Sequence, residues 1–353
     1  MSEYSLKAAI DEFFSQTSAT REACDSMAKN LVGGKGKPVP IAVQGNCSYT
    51  VYAGPELEFV VQFRLDSLKL DSEISILASK LYGSLVPNIS FHGEIGGDNG
   101  QLRGDNGKEH VLVYVMNRIR GVSHLDFILE NGFPENSEKT FAWRDTLLRD
   151  IACFFALTWK SPQKVNQDYK NKLRQTYTKE LQLLLHSLPS RFHQSVQKCL
   201  DSMDAIFSLP MVLLHRDFGT CNVMVDATSC HLTGVLDWAE AEICPFGLNL
   251  HSLQAFTGAL HLKNGWRRYE DYEARQNTFW GTFRDEVGGL SEETVRTIKM
   301  ARVMGLLLSS GFTRRLANRP EATPIRDDEA GRYNMLSLDG FLVNPATKFD
   351  GLD

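Results

Sequence analysis

The stretch LLHRDFGTCNVMVD, Leu213 to Asp226, sets His215, Asp217 and Asn222 in one short polar loop between apolar runs, and a further aspartate, Asp237, follows the apolar run TGVL. A loop presented by two buried strands is rigidly held, so its side chains can be aimed. Asp217 is able to accept a proton from a hydroxyl or to hold that hydroxyl in line for attack. Asn222 offers a neutral oxygen to a cation and Asp237 a charged one. A positioned base beside hard oxygen ligands for Mg²⁺ is the equipment of phosphoryl transfer. The order of residues from His215 to Asn222 fits the pattern H-R-D-x-x-x-x-N at every fixed position.

Something must hold that loop, and the rest of the chain supplies two kinds of segment. Up to about Asn30 the composition is helix-forming and ends in GGKGKP, a connector. Gly36-Lys37 invites a phosphate-loop reading, but that motif opens a helix with Ser or Thr after the lysine, and here Pro38 follows. From Val39 the runs VPIAVQG, SYTVYAG and EFVVQFR read as strands. SEISILASKLYG reads as a helix with Ile74, Leu77, Ala78 and Leu81 on one face, and NISFHGEI and HVLVYVM add two more strands. The GDNG repeats at Gly97 and Gly104 read as a hairpin, since their acidic spacing is wrong for a calcium loop. After Gly121 helical patterns dominate, broken only by NVMV and LTGVL around the polar loop. Sheet and helices are segregated, so the fold class is α+β, with a small β-rich N-terminal lobe carrying one helix and a large mainly helical C-terminal lobe. The expected divisions are 1–37 for an N-terminal helical extension and linker, 38–117 for the small lobe, and 118–353 for the helical lobe.

A chain of 353 residues can bury a large core across two lobes, and 42% hydrophobic with 23% charged residues is an ordinary soluble composition. A formal charge of −5 without a long basic block argues against nucleic acid as the main partner. No apolar run is long enough for a membrane span, and the N-terminus has no secretory character. Seven cysteines without C-x-x-C spacing read as reduced thiols of a cytoplasmic protein.

The block LLHRDFGTCNVMVD…TGVLDWAEAEICPFGLNL resembles the aminoglycoside phosphotransferase family of the protein-kinase-like superfamily, and especially its fungal members of unassigned substrate. That resemblance implies a protein-kinase-like bilobal fold and a small-molecule kinase using ATP or GTP with Mg²⁺. Asp217 takes the place of the base, Asn222 and Asp237 those of the Mg²⁺ ligands, and Trp238 that of the tryptophan that commonly follows. His215 would hold the loop together by hydrogen bonds. A protein kinase is disfavoured, because the lysine motif, A-P-E and the full glycine-rich loop are missing.

In the small lobe the resemblance implies nucleotide contacts. Gly45 and Ser48 stand where a phosphate-covering loop belongs, though the same residues equally fit an ordinary β-turn. The third strand lacks the usual lysine. Gln62 and Arg64 share one of its faces, and Arg64 could supply the charge, paired with Glu73 at the start of the following helix. The backbone of Tyr114, Val115 and Met116, up to Asn117, would face the base of the nucleotide. Asn249 departs from the aspartate common in relatives, a change read as structural. Glu240 and Glu242 either reach the cleft or are surface acids, and Glu242 is read as the latter. The missing lysine keeps open a second reading, a protein that binds nucleotide or a small ligand without transfer. For the acceptor, basic residues from Lys164 to Arg191 would repel a polycation if they line the cleft. Trp266, Tyr269, Tyr272 and Trp280 either stack on a flat acceptor or pack as core.

Overall fold

The computed structural model describes residues 4–33, 36–96, 108–313 and 321–351. The GDNG segments at Gly97 and Gly104 lie outside the described residues, as does part of the GGKGKP connector. Two compact units partition the chain, one from the residues of Met1–Ser79 and Val86–Ile119, the other from those of Lys80–Leu85, Arg120–Arg315 and Glu321–Asp353.

The first unit opens with helices α1 (Leu6–Ser15) and α2 (Arg21–Val32). Each starts where a hydroxyl can satisfy a first-turn amide: Ser5 accepts from Ala8 N, and Thr20 from Ala23 N. Strands β1 (Val39–Pro40), β2 (Ser48–Ala53) and β3 (Phe59–Leu65) follow, then helix α3 (Ser72–Tyr82) and strands β4 (Ile89–Ile95) and β5 (Val111–Asn117). The five strands form an antiparallel sheet in the order β1-β2-β3-β5-β4. The expected strand VPIAVQG shortens to Val39–Pro40, and the cause is local. Gln44 turns its side chain onto Thr50, accepting from its N–H (2.8 Å) and donating to its carbonyl (2.9 Å), so a side chain replaces the strand.

Alternation along β2, β3 and β5 gives this sheet two chemical faces. Tyr49, Val51, Val61, Phe63, Val111 and Val113 are fully buried and pack with Ile10, Phe13, Cys24 and Ala28 of α1 and α2 into one core. Ser48, Thr50, Gln62 and Arg64 point to the opposite face, with Ser48 opposite Arg64 and Thr50 opposite Gln62 in the β2–β3 register.

The second unit holds strand β6 (Val122–Ser123) and helices α4 (His124–Asn131), α5 (Glu138–Trp159), α6 (Gln167–Ser187), α7 (His193–Asp201) and α8 (Met203–Ile206). Strands β7 (Met211–Leu214), β8 (Val223–Val225), β9 (Leu232–Val235) and β10 (Glu242–Pro245) come next. Helix α9 (Gln254–Thr257), the hairpin β11 (Gly258–His261) and β12 (Gly265–Arg268), and helices α10 (Tyr272–Glu286), α11 (Glu292–Ser310) and α12 (Arg332–Leu338) complete it. Helix α5 buries Leu147, Leu148, Ile151, Phe154 and Phe155, the one-face spacing of a core helix. At its start the Ser137 and Thr140 side chains cap reciprocally, and Arg144 ties it to Asp271, the residue before α10, at 3.0 Å. No helix among the described residues is long and apolar enough to cross a membrane.

Candidate active site

The polar loop runs from β7 into β8. Strand β7 is buried at every position and pairs with β10, while β8 pairs with β6 on one side and β9 on the other, so both ends of the loop are fixed by sheet. The β8–β9 connection is tightened by Asp226, whose Oδ1 accepts from the amides and hydroxyls of Thr228 and Ser229. Those bonds, with Thr228 foremost, hold its carboxyl below the usual carboxylate range.

Within the loop, Asn222 Nδ2 donates to the Asp217 carboxylate (3.0 Å) and to the Asp217 carbonyl (2.9 Å). Its backbone closes the other side: Asn222 N donates to the Gly219 carbonyl, and Leu236 N donates to the Asn222 carbonyl (2.8 Å). That last bond extends the β8–β9 ladder by one residue and brings Asp237, next in sequence, beside Asn222. Asp217, Asn222 and Asp237 are thus gathered into one place by short-range hydrogen bonds. Both Asp217 and Asp237 are exposed. Asp237 has φ 58° and ψ 70°, a left-handed conformation rare for a residue with a Cβ.

His215 is 2% exposed, and its Nε2 donates to the Leu236 carbonyl at 2.7 Å. Burial pushes its pKa down, a shift opposed by that carbonyl and by Asp217 and Asp237. Its ring lies edge-on to Trp238, which donates from Nε1 to the Val235 carbonyl. A buried, neutral imidazole bonded to the residue before Asp237 ties the two halves of the site together and is not placed to shuttle a proton. Asn249, 2% exposed, donates from Nδ2 to the His215 carbonyl at 3.2 Å, so the amide keeps a supporting bond to the loop. Helix α11 braces that segment, with Gly305 so close to Leu248 that an added Cβ would lie 1.6 Å from its carbonyl oxygen.

Glu242 corrects the surface-acid reading. Its Oε2 accepts from Arg216 Nη1 (2.9 Å) and from the Tyr177 hydroxyl (3.2 Å), locking the arginine between His215 and Asp217 to strand β10 and helix α6. The register of β7 on β10, with Leu214 opposite Glu242, makes the contact possible.

The donor set suits Mg²⁺. With Asn222 Nδ2 turned to Asp217, Oδ1 is left as an acceptor, and Asp237 adds a carboxylate from the residue after Leu236. Mg²⁺ is commonly held by one or two carboxylates plus substrate phosphates. Among the described residues no group of three or more His, Cys, Asp or Glu could cage a metal.

The remaining predicted residues belong to the first unit. Gly45 lies in the loop before β2, with nothing within 4 Å of where its Cβ would be, and Ser48 begins β2 with its hydroxyl 3.2 Å from Thr50 Oγ1. Arg64 is 6% exposed. Its Nε donates to the Leu68 carbonyl (2.8 Å) and its Nη1 to Gln62 Oε1 (3.3 Å). The expected Arg64–Glu73 ion pair is not made among the described residues. Glu73 is exposed at the start of α3, and the guanidinium is turned to the backbone of the β3–α3 connection instead. Tyr114, Val115 and Met116 are central in the sheet, paired with β3 on one edge and β4 on the other. Their backbone is therefore committed to the ladder, and the pairing runs past Asn117, since Arg118 N donates to the Glu58 carbonyl.

An antiparallel sheet with its helices in one unit, and a helical unit presenting Asp217 and Asn222 from a β7–β8 loop, define a protein-kinase-like α+β phosphotransferase fold. Residues 73–277, more than half of the chain, match the phosphotransferase enzyme family, and the protein belongs to it. Among solved structures, a macrolide 2′-phosphotransferase of type I is similar with a TM-score of 0.51 at 16% identity, over 82% of this chain and 91% of that one. The GDP complex of an aminoglycoside 2′-phosphotransferase mutant is similar with a TM-score of 0.50 at 13% identity, over 82% and 88%. No curated protein matches the chain by sequence.

Proposed function

We propose that the protein is a small-molecule kinase that transfers the γ-phosphate of ATP or GTP to a hydroxyl or amine of a metabolite, and we take the hydroxyl case for the mechanism. The observation that carries this reading is the bond from Asn222 Nδ2 to the Asp217 carboxylate, with Asp237 brought alongside through Leu236. Asp217 takes the proton of the acceptor hydroxyl as its oxygen attacks the γ-phosphorus, and the bond from that phosphorus to the β–γ bridging oxygen breaks to release the nucleoside diphosphate. Asn222 orients the Asp217 carboxylate by donating to it, which leaves its own Oδ1 as an acceptor. Asn222 and Asp237 would hold Mg²⁺, which supplies charge neutralisation to the phosphates. His215, Asn249 and the Arg216–Glu242 pair keep the loop in shape. We assign nucleotide contacts to residues 38–117, with Ser48, Gln62 and Arg64 as the polar side chains of the sheet, and acceptor binding to residues 118–353. Seven free cysteines favour a cytoplasmic protein.

The experiment is turnover of nucleotide by Asp217→Asn. A positioned general base is worth about 10²–10⁴ in rate, and the amide keeps the shape of the carboxylate. We expect that loss in rate with nucleotide affinity nearly unchanged. Wild-type turnover in the variant would sink the mechanism.

One observation favours a second reading, a nucleotide binder without transfer activity. The only strand cation proposed for the phosphates, Arg64, already serves Leu68 and Gln62. Stabilisation of the folded protein by nucleotide, with no hydrolysis or transfer in the presence of Mg²⁺, is the signature of that reading.

A further inference from the structure

Beside Asp217 the second unit contains a pocket of about 180 Å³, walled by α9, α11, α12 and the β12 strand. Drug-sized ligands occupy roughly 300–1,000 Å³, so this one has room for a single ring. Its chemistry is divided. One side is aromatic: Trp266 and Phe341, ring centroids 4.8 Å apart. Trp266 is held there by close packing, since a Cβ on Gly340 would lie 2.9 Å from its Cδ1. The other side carries the hydroxyls of Ser252, Ser309 and Ser310 and the amide of Gln254. Gln254 is 3% exposed. The Gln254 amide acts on the buried Tyr272 hydroxyl, whose ionised form it favours.

Charge in this pocket is nearly balanced away. Among the described residues Asp217 is its one carboxylate and Arg216 its one guanidinium, already paired with Glu242 at 2.9 Å. His251, also on the lining, is pushed down to about 3 by burial and then by Arg216 and Arg302, so it is neutral at physiological pH. A polyamine would find one acid for several ammonium groups, and a hydroxy acid would find its cation taken. The basic residues of α6 do not bear on the question, because none of them lines this pocket. Arg174 pairs with Asp204 instead, and Arg191, just after α6, with Asp327 and Asp339. Of the four aromatic candidates only Trp266 lines the pocket. Tyr269 and Tyr272 are buried, and Trp280 packs on Phe279 and Phe283.

We infer that the acceptor is a small uncharged cyclic polyol of monosaccharide size, its C–H face laid on Trp266 and its hydroxyls turned to Gln254, the serines and Asp217. The inference rests on the reading of Asp217 as the base of a kinase.

The test is equilibrium binding by calorimetry to the full chain. The probes share one size and differ in charge: aldohexoses and cyclitols as neutral members, glucosamine as a cation and gluconate as an anion. We expect a neutral polyol to bind at least tenfold more tightly than either charged probe. Trp266→Ala should weaken it at least tenfold, while Trp266→Phe, which keeps an aromatic platform and guards against misfolding, should retain most of the affinity. Binding of glucosamine or gluconate at equal or greater strength, or no binding of any neutral polyol, overturns the inference. Phosphate transfer from MgATP is measured on the same probes. If a neutral polyol binds but is never phosphorylated, the ligand class of the pocket stands and the kinase reading fails. Transfer only to a charged probe has the opposite meaning.

Discussion

Asp237 carries the one left-handed backbone conformation in the site, and such strain costs on the order of 1–3 kcal/mol unless the surroundings enforce it. Here they do: Leu236 is held on both sides, by His215 through its carbonyl and by Asn222 through its N–H. Asp237→Asn isolates the charge, because asparagine tolerates the left-handed region. We expect this variant to weaken Mg²⁺-dependent nucleotide binding by about tenfold, or roughly 1.4 kcal/mol, and to leave binding without Mg²⁺ unchanged. Asn222→Ala removes only a dipole from the cation and should cost less affinity, with a larger effect on turnover through the loss of its bond to Asp217. Titration of nucleotide with and without Mg²⁺ decides this, and equal affinities for wild type and Asp237→Asn would take the residue out of the metal site. The three residues are legible in the sequence because their association is local: a five-residue step, closed by bonds to Gly219 and Leu236. The Arg216–Glu242–Tyr177 cluster is not, since it needs the register of β10 on β7 and the placement of α6, neither of which spacing along the chain reveals.

At the level of elements, the sheet of the first unit separates its roles by face, and period-2 alternation makes that separation readable from the order of residues alone. Gln62 and Arg64 do lie together, opposite Thr50 and Ser48. The direction of the guanidinium is not readable in this way, because it answers to the carbonyl of Leu68 in the connection to α3 and not to Glu73. Backbone partners of this kind leave no mark in residue type. The same holds for β1, cut short by a glutamine side chain acting as a strand. If Arg64 serves the nucleotide phosphates, Arg64→Ala should lower nucleotide affinity about 10–100-fold, the range of a hydrogen bond to a charged group at about 1.5–3 kcal/mol. Gln62→Lys should then add little. If Arg64 serves only the fold, Arg64→Ala will lower stability without changing affinity per folded molecule, and Gln62→Lys should tighten binding by restoring a cation on that face. Affinity measured alongside denaturant unfolding separates the two outcomes, and unchanged affinity in both variants would remove this face of the sheet from the nucleotide site.

The chain divides into two units, and histidines give the helical one a pH dependence. The helical unit buries His124 and His251, both pushed down to about 3, by burial alone for His124 and with help from Arg216 and Arg302 for His251. An unfolded histidine titrates near 6.5. Above that value neither state holds the proton, so stability is independent of these groups. Below it the unfolded chain takes up protons that the folded protein refuses, and stability falls as pH drops from about 6.5 toward 3, by roughly 1.4 kcal/mol per pH unit for each such histidine. Against a total of about 5–15 kcal/mol, that slope makes mild acid a strong stress. His124 allows a clean test. It is 4% exposed, its Nδ1 has no hydrogen-bond partner among the described residues, and its ring packs 5.1 Å from Phe256, so His124→Phe gives up no described hydrogen bond at Nδ1 and keeps an aromatic contact. The free energy of unfolding of the variant minus that of wild type should be constant above pH 7 and rise by roughly 1.4 kcal/mol per unit below pH 6. Carboxylates contribute equally to both proteins and cancel in the difference. Urea unfolding at pH 8, 7, 6 and 5 supplies the measurement. A difference that stays flat through pH 5 would mean that His124 is protonated in the folded protein as readily as in the unfolded chain, and that water reaches the N-terminus of α4.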